Sequence, residues 1–135
     1  MIAYNKTRNR FVANELQVAK NAWQRFRGLL GSRGLKEGEG FLIPACKGIH
    51  TFGMRFSIDV LYFDDQGRVL EALKGCRPNL AGPVNWKSKA VLELPEGAIE
   101  KSHTEIGDVL VLEDEPTNFL PDPVPSALPL PVVSF

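Results

Sequence analysis

A chain of 135 residues, 44% hydrophobic and 24% charged, has room for one domain built around a single substantial core. Its 16 Lys+Arg balance 16 Asp+Glu, so net charge makes no case for a nucleic-acid partner. No run of 18 apolar residues could span a membrane, and two cysteines, Cys46 and Cys76, match no zinc spacing and cannot staple a scaffold.

The expectation is a soluble, cytoplasmic protein with reduced thiols, no cofactor, no metal, and neither a nucleic acid nor a membrane as partner. A Cys46–Cys76 disulfide is the alternative in an oxidising compartment. The opening "MIAYNKTRNR" has no apolar signal-type stretch. Charge is unevenly spread. Residues 1–36 hold eight basic side chains (Lys6, Arg8, Arg10, Lys20, Arg25, Arg27, Arg33, Lys36) against Glu15, which gives 8 − 1 = +7 and leaves −7 for the rest. That pattern fits a basic segment lying on an acidic body, or an anion-binding surface.

In chain order, "RFVANELQVA" reads as two short strands or a hairpin, with a break at Asn14-Glu15. "NAWQRFRGLLG" predicts a helix. Asn21 caps it, Gln24 can complete a capping box, and Trp23, Phe26 and Leu30 repeat at i, i+3 and i+7. Arg27 falls at the edge of that apolar stripe. Residues 31–40 hold four glycines and form a loop that lacks the lysine and hydroxyl of a phosphate-binding loop. From Gly40 onward the pattern becomes extended. "IDVLYFD" and "RVLEAL" flank a hairpin turn at residues 64–67, and "CRPNLAGPVNW" is loop. "KAVLELP" is a strand, "EGAIEKSH" makes about one and a half helical turns, and "EIGDVLVLE" ends in a last strand.

Residues 1–113 thus form a single, mainly β domain with one short helix, an antiparallel β-sandwich or a distorted barrel. The 22 residues 114–135 differ in kind, with six prolines, three acids and no base. They predict a polyproline-type or disordered tail, although an apolar one: it either wraps its own domain or docks on another protein.

The densest stretch is "HTFGMRFSID", residues 50–59. As a strand it puts Phe52, Met54, Phe56, Ile58 and Val60 on a core face, and Thr51, Gly53, Arg55, Ser57 and Asp59 on the other. The polar row is either a solvated strand face or the floor of a shallow ligand surface. Arg55 and Asp59 stand about 13 Å apart if the strand is extended, too far to pair without a bend. His50 at the strand mouth is ordinarily a hydrogen-bonded structural residue. With Cys46 as nucleophile and Asp59 as acid it would suggest a hydrolase, but no spacing demands that arrangement. "DDQGR" lacks the alternating oxygens of a calcium loop.

The ordered series "RFRGLLG", "GFLI", "CKGIHTFGMRFSIDVLYFD", "GRVLEAL", "AVLELPEG" and "IGDVL" resembles domain-of-unknown-function family 192, from about Leu16 to Glu113. The resemblance implies a small β-sandwich-like domain of bacteria and archaea, sometimes secreted, with no established activity. It maps the family's recurring residues onto Arg27, Gly28, Leu29, His50, Thr51, Phe52, Met54, Arg55, Asp59, Glu93, Leu94, Gly97, Gly107 and Asp108. Ser57 and Cys76 depart from it, where relatives often carry proline and an apolar residue. The functional expectation is a small polar or anionic ligand bound by Arg27, His50, Thr51, Arg55 and Asp59. The alternatives are an interaction module that docks through the tail and, last, the Cys46/His50 hydrolase.

Overall fold

The computed structural model describes residues 1–21 and 34–114. Its elements are β1 (Ile2–Asn5), β2 (Arg10–Ala13), β3 (Glu15–Val18), β4 (Glu39–Pro44), β5 (Ile58–Phe63), β6 (Val69–Cys76), β7 (Ala90–Pro95), the helix α1 (Ala98–Lys101) and β8 (Leu110–Glu113). The helix expected over residues 21–31, Arg27 within it, and the tail beyond residue 114 lie outside the described residues.

The strands form two sheets. A three-stranded sheet runs β2-β1-β8, and a five-stranded sheet runs β3-β4-β7-β5-β6. All pairs are antiparallel except β3–β4. The open strand orders make this a distorted sandwich and not a closed barrel. Side-chain alternation explains why the large sheet lies in the middle. Leu42, Leu61, Phe63, Leu92 and Leu94 point to its first face, where Ala3, Val12 and Leu110 of the small sheet and Ile99 of α1 cover them. Phe41, Ile43, Ile58, Val60, Tyr62 and Val91 point to its second face. Every residue of β5 is buried, as in a strand covered on both sides. Ile99 is wholly buried, a contribution of about 1.5–3 kcal/mol that pins the helix to the first face.

The hairpin at residues 64–67 is as expected. Asp64 Oδ1 accepts the Gln66 and Arg68 amides at 2.9 Å each, and Gly67 takes a φ of 78°. A Cβ at Gly67 would collide with the Leu110 carbonyl, so the turn also fixes how closely β8 approaches the large sheet.

Of the two readings of "RFVANELQVA", the two short strands hold and the hairpin does not: Asn14 hands the chain from the small sheet, where β2 joins β1, to the large one, where β3 runs parallel to β4. More consequentially, residues 50–59 are not one extended ladder. The strand begins only at Ile58, and residues 52–53 and 55–56 turn and bend, with Gly53 at φ 78°. The supposed faces mix as a result. Phe52 is 52% exposed, whereas Thr51 and Asp59 from the polar row are buried.

Candidate functional site: a cationic ribbon over the second face

Residues 45–57 cover the second face of the large sheet, contributing Cys46, Ile49, Met54 and Phe56 to its apolar cluster, and a second irregular segment, residues 77–89, is hydrogen-bonded alongside them. Gly48 and Gly53 in the first, and Pro78, Asn79, Gly82, Pro83 and Asn85 in the second, keep them from regular strand, yet they still pair. Ala45 N donates to Lys89 O, Asn85 N to Lys47 O and Gly82 N to Ile49 O, at 2.7, 2.8 and 2.9 Å. His50 bridges to Ala81, and Thr51 N donates to Leu80 O. The result is a twisted ribbon, antiparallel and anchored along its length.

Thr51 is the ribbon's central tie. Its Oγ1 donates to Arg77 O at 2.6 Å and accepts from Leu80 N at 2.9 Å. Tyr62 reaches up from β5 to donate to Pro83 O at 2.6 Å, and burial pushes its phenol up to about 12. Ser88 Oγ donates to Cys46 O, and Lys47 Nζ caps the Trp86 and Ser88 carbonyls. The Cys46 thiol donates to Gly48 O at 2.9 Å, and no disulfide joins it to Cys76.

The outer surface of the ribbon is distinctive in charge and polarity. Its two segments hold Lys47, Arg55, Arg77, Lys87 and Lys89 and not one acid. Arg55, Arg77, Lys87 and Lys89 are exposed and make no ion pair among the described residues. Phe52, Leu80, Val84 and Trp86, 45–78% exposed, lie between these charges. The cations fall at two ends. Lys47, Lys87 and Lys89 stand where β4 ends and β7 begins. Arg55 and Arg77 flank the Ile58–Cys76 pair at the opposite end of the ribbon, near the stacked rings of His50 and Phe52, whose centroids are 5.3 Å apart.

Of the residues expected from sequence, His50, Thr51 and Arg55 share this ribbon, with Thr51 buried as a tie. Asp59 is elsewhere. Its side chain is on the first face, where Oδ1 accepts Gly75 N at 2.9 Å and Oδ2 accepts Gly97 N at 3.1 Å and Ile99 N at 2.9 Å. Its two oxygens serve the bend of β6 and the start of α1. Arg27 lies outside the described residues. Arg77, in what reads as plain loop, and Lys87 and Lys89 at the approach to the next strand were not anticipated, although the acid-free run of residues 77–89 could have signalled them.

Two other polar groupings stand apart from the ribbon. Asn5 Nδ2 donates to Thr104 Oγ1 and Asp108 Oδ2, each at 3.0 Å, and Arg8 Nε donates to the same carboxylate oxygen at 3.0 Å. Burial alone would raise the Asp108 carboxyl, but donors on Asn5, Arg8 and the Glu105 backbone outweigh it and hold the group below its ordinary value. The adjoining cleft, about 350 Å³, sets Arg8, Arg10, Lys74 and His103 against Glu100 and Glu105, and Arg8 is already paired with Glu105 at 2.7 Å. Its charges largely cancel. The second grouping is Glu93, which lies between Phe41 and Val60 in register and therefore on the second face beneath the ribbon. It is 3% exposed, its Oε2 has no hydrogen-bond partner among the described residues, and burial lifts its carboxyl to about 7. The nearby Cys76 thiol is raised by burial and then by the charges of Asp59 and Glu93. Among the described residues no three His, Cys, Asp or Glu side chains cluster to hold a metal, and no helix is long and apolar enough to cross a membrane.

Comparison with known proteins places this geometry in context. The DUF192 family profile, described as "Uncharacterized ACR", matches residues 3–112. A UPF0127 protein of Thermococcus sibiricus is 31% identical over 125 residues, 89% of this chain and 80% of the relative. A second UPF0127 protein, from Thermococcus kodakarensis, is 27% identical over 110 residues, 78% of this chain and 69% of the relative. The crystal structure of a Novosphingobium aromaticivorans protein of unknown function superposes with a TM-score of 0.65 at 18% identity, over 72% of this chain and 74% of that one, a likeness of fold alone.

Proposed function

This chain belongs to the DUF192 family, a family of uncharacterised function, and on that footing we propose that it is a binding domain for a small anionic ligand. The ligand is held at the end of the ribbon where Arg55 and Arg77 flank the Ile58–Cys76 pair, with His50 and Phe52 beside them. One observation carries the reading: residues 45–57 and 77–89 hold five Lys/Arg and not a single acid, Arg55 and Arg77 at this end and the three lysines at the other, in a chain whose net charge is zero. Holding like charges together costs free energy unless solvent or an anion screens them, so an acid-free surface on a neutral protein favours an anionic partner. Guanidinium forks match carboxylate and phosphate oxygens in pairs, which suits Arg55 and Arg77 to a small polyanion.

Nothing in the ribbon recommends catalysis. The Cys46 thiol directs its proton to the Gly48 carbonyl, and Asp59 is on the other side of the sheet. A thermal-shift series with inorganic phosphate, citrate and a neutral sugar tests the proposal. Citrate or phosphate should stabilise the protein saturably, the sugar should not, and Arg55→Ala and Arg77→Ala should each abolish the effect. Equal response in the variants, or none in the parent, overturns it.

A second reading has its own support. Phe52, Leu80, Val84 and Trp86 expose more apolar area than a small-ligand site requires, which favours a protein partner on the same ribbon.

A further inference from the structure

We propose that the lysine end of the ribbon docks peripherally on an anionic lipid surface, with the turn at residues 85–88 placing Trp86 among the headgroups. This concerns the end opposite the arginine pair and shares with the anion-binding reading only the absence of acids. Ser88 N donates to Asn85 O at 3.0 Å and closes a turn whose two corner residues are Trp86 and Lys87. Trp86 is 78% exposed, more than any other large apolar side chain among the described residues, and Val84 just before the turn is 60% exposed. Scattered exposed apolar side chains need no explanation, but these two stand with Lys87 and Lys89 on a segment that has no acid.

The exposure is built into the turn, not left by a slack loop. Asn85 N donates to Lys47 O at 2.8 Å, Lys87 N to Asn85 Oδ1 at 3.0 Å and Lys89 N to Phe63 O at 2.9 Å. Lys47 Nζ donates to the Trp86 and Ser88 carbonyls at 2.8 and 3.0 Å, and the Tyr62 hydroxyl holds Pro83 O at 2.6 Å. In water, solvent satisfies the carbonyls of an exposed turn without help. Committing an ammonium group to two of them matters where water is withdrawn, because an unsatisfied carbonyl is strongly penalised in an apolar medium. The turn can therefore lose its water and still keep its backbone paired, with the indole outermost.

Charge and side-chain type select the medium. Lys87 and Lys89 are exposed and make no ion pair among the described residues. One carboxylate does touch the turn: Glu71 of β6, half-buried, accepts from Asn85 Nδ2 at 3.3 Å, a single negative charge against the ammonium groups of Lys47, Lys87 and Lys89. Tryptophan and lysine together suit a membrane–water boundary. The indole lies at headgroup depth, and lysine keeps its ammonium on the phosphates while its stem follows the ring inward. The corner of a turn is convex, so it meets a yielding surface without a matching pocket. Such a contact needs no spanning segment, and the lack of a long apolar run in the sequence bears only on spanning.

Sedimentation of the full chain with phosphatidylcholine vesicles, with and without phosphatidylserine, tests the proposal when read together with tryptophan emission. The protein should bind only the vesicles that contain phosphatidylserine, more weakly in salt, and its emission should shift to the blue. Trp86→Phe should still bind but lose the shift, which assigns it to Trp86 and not to Trp23. Trp86→Ala should weaken binding about tenfold, and Lys87→Gln combined with Lys89→Gln by at least about tenfold. These side chains are exposed, so Tm should stay at the parent's value. No binding to the anionic vesicles overturns the proposal. So does binding that is indifferent to Trp86→Ala, or that leaves the parent's emission unshifted. A blue shift with soluble polyglutamate but not with vesicles would assign the turn to an acidic protein and equally overturn the lipid contact. Arg55→Ala removes the citrate response but should leave the emission shift in place, so the two proposals can fail independently.

Discussion

Replacing Glu93 with glutamine isolates the cost of burying one carboxyl group. Glu93 is 3% exposed, Oε2 has no hydrogen-bond partner among the described residues, and burial raises the group from 4.5 to about 7. A shift of that size corresponds to roughly 3 kcal/mol at about 1.4 kcal/mol per pK unit. The sign comes from linkage. Below pH 4.5 the group is protonated in both folded and unfolded chains and costs nothing. Between pH 4.5 and 7 the unfolded chain releases a proton that the folded one retains, so stability falls. Above pH 7 the cost levels off. Glu93→Gln keeps the shape and removes the ionisation, but its amide inherits an unmade hydrogen bond worth about 1 kcal/mol. The variant should therefore match or fall slightly below the parent at pH 4.5 and exceed it by about 2 kcal/mol at pH 8, an increase in Tm of several degrees. Urea denaturation of both proteins from pH 4.5 to 8 reads this directly, because the difference cancels every other titrating group. A variant destabilised by the same amount at every pH would refute the reasoning, since it would mean the ionised carboxylate is well partnered.

Other perturbations test the remaining contacts. Asp59→Asn swaps one of two accepting oxygens for a donor facing backbone N–H groups; it should cost about 1–3 kcal/mol and speed hydrogen exchange at Gly75 or at Gly97 and Ile99. Thr51→Val removes a bond to the Arg77 carbonyl and one from the Leu80 amide; it should lower stability by about 1–3 kcal/mol and broaden NMR signals of residues 77–81 while leaving β7 intact. Gly67→Ala should destabilise by more than about 1 kcal/mol in chemical denaturation, because its φ of 78° and the Leu110 carbonyl both oppose a side chain.

Local signals in the sequence revealed what local interactions build. The Asp64 turn, the apolar alternation of β5 and β7, the turn of helix at "EGAIEK" and the last strand all arise from neighbours within a few residues, and all are present. The central stretch misled because Phe52, Met54 and Phe56 alternate like a strand, while contacts far along the chain decide its shape. Thr51 is bound to Arg77 and Leu80, 26 and 29 residues away, and Asp59 is claimed by amides 16 to 40 residues away. Alternation could not distinguish polar side chains facing solvent from polar side chains satisfied inside. The same limit hid the parallel β3–β4 pair, whose partners Glu15 and Glu39 are separated by a long connection. Glu93 was visible only as a member of the family's recurring residues; one acid in "AVLELP" reads as the polar face of a strand until both faces prove to be covered.

Where an anion binds is read most directly by titrating isotope-labelled protein with citrate and following amide chemical shifts. Saturable shifts confined to residues 50–56 and 76–80, lost in Arg55→Ala and weakened by salt, are the predicted result. Shifts centred on Arg10, Lys74 and His103, or none at all up to high citrate, would contradict it.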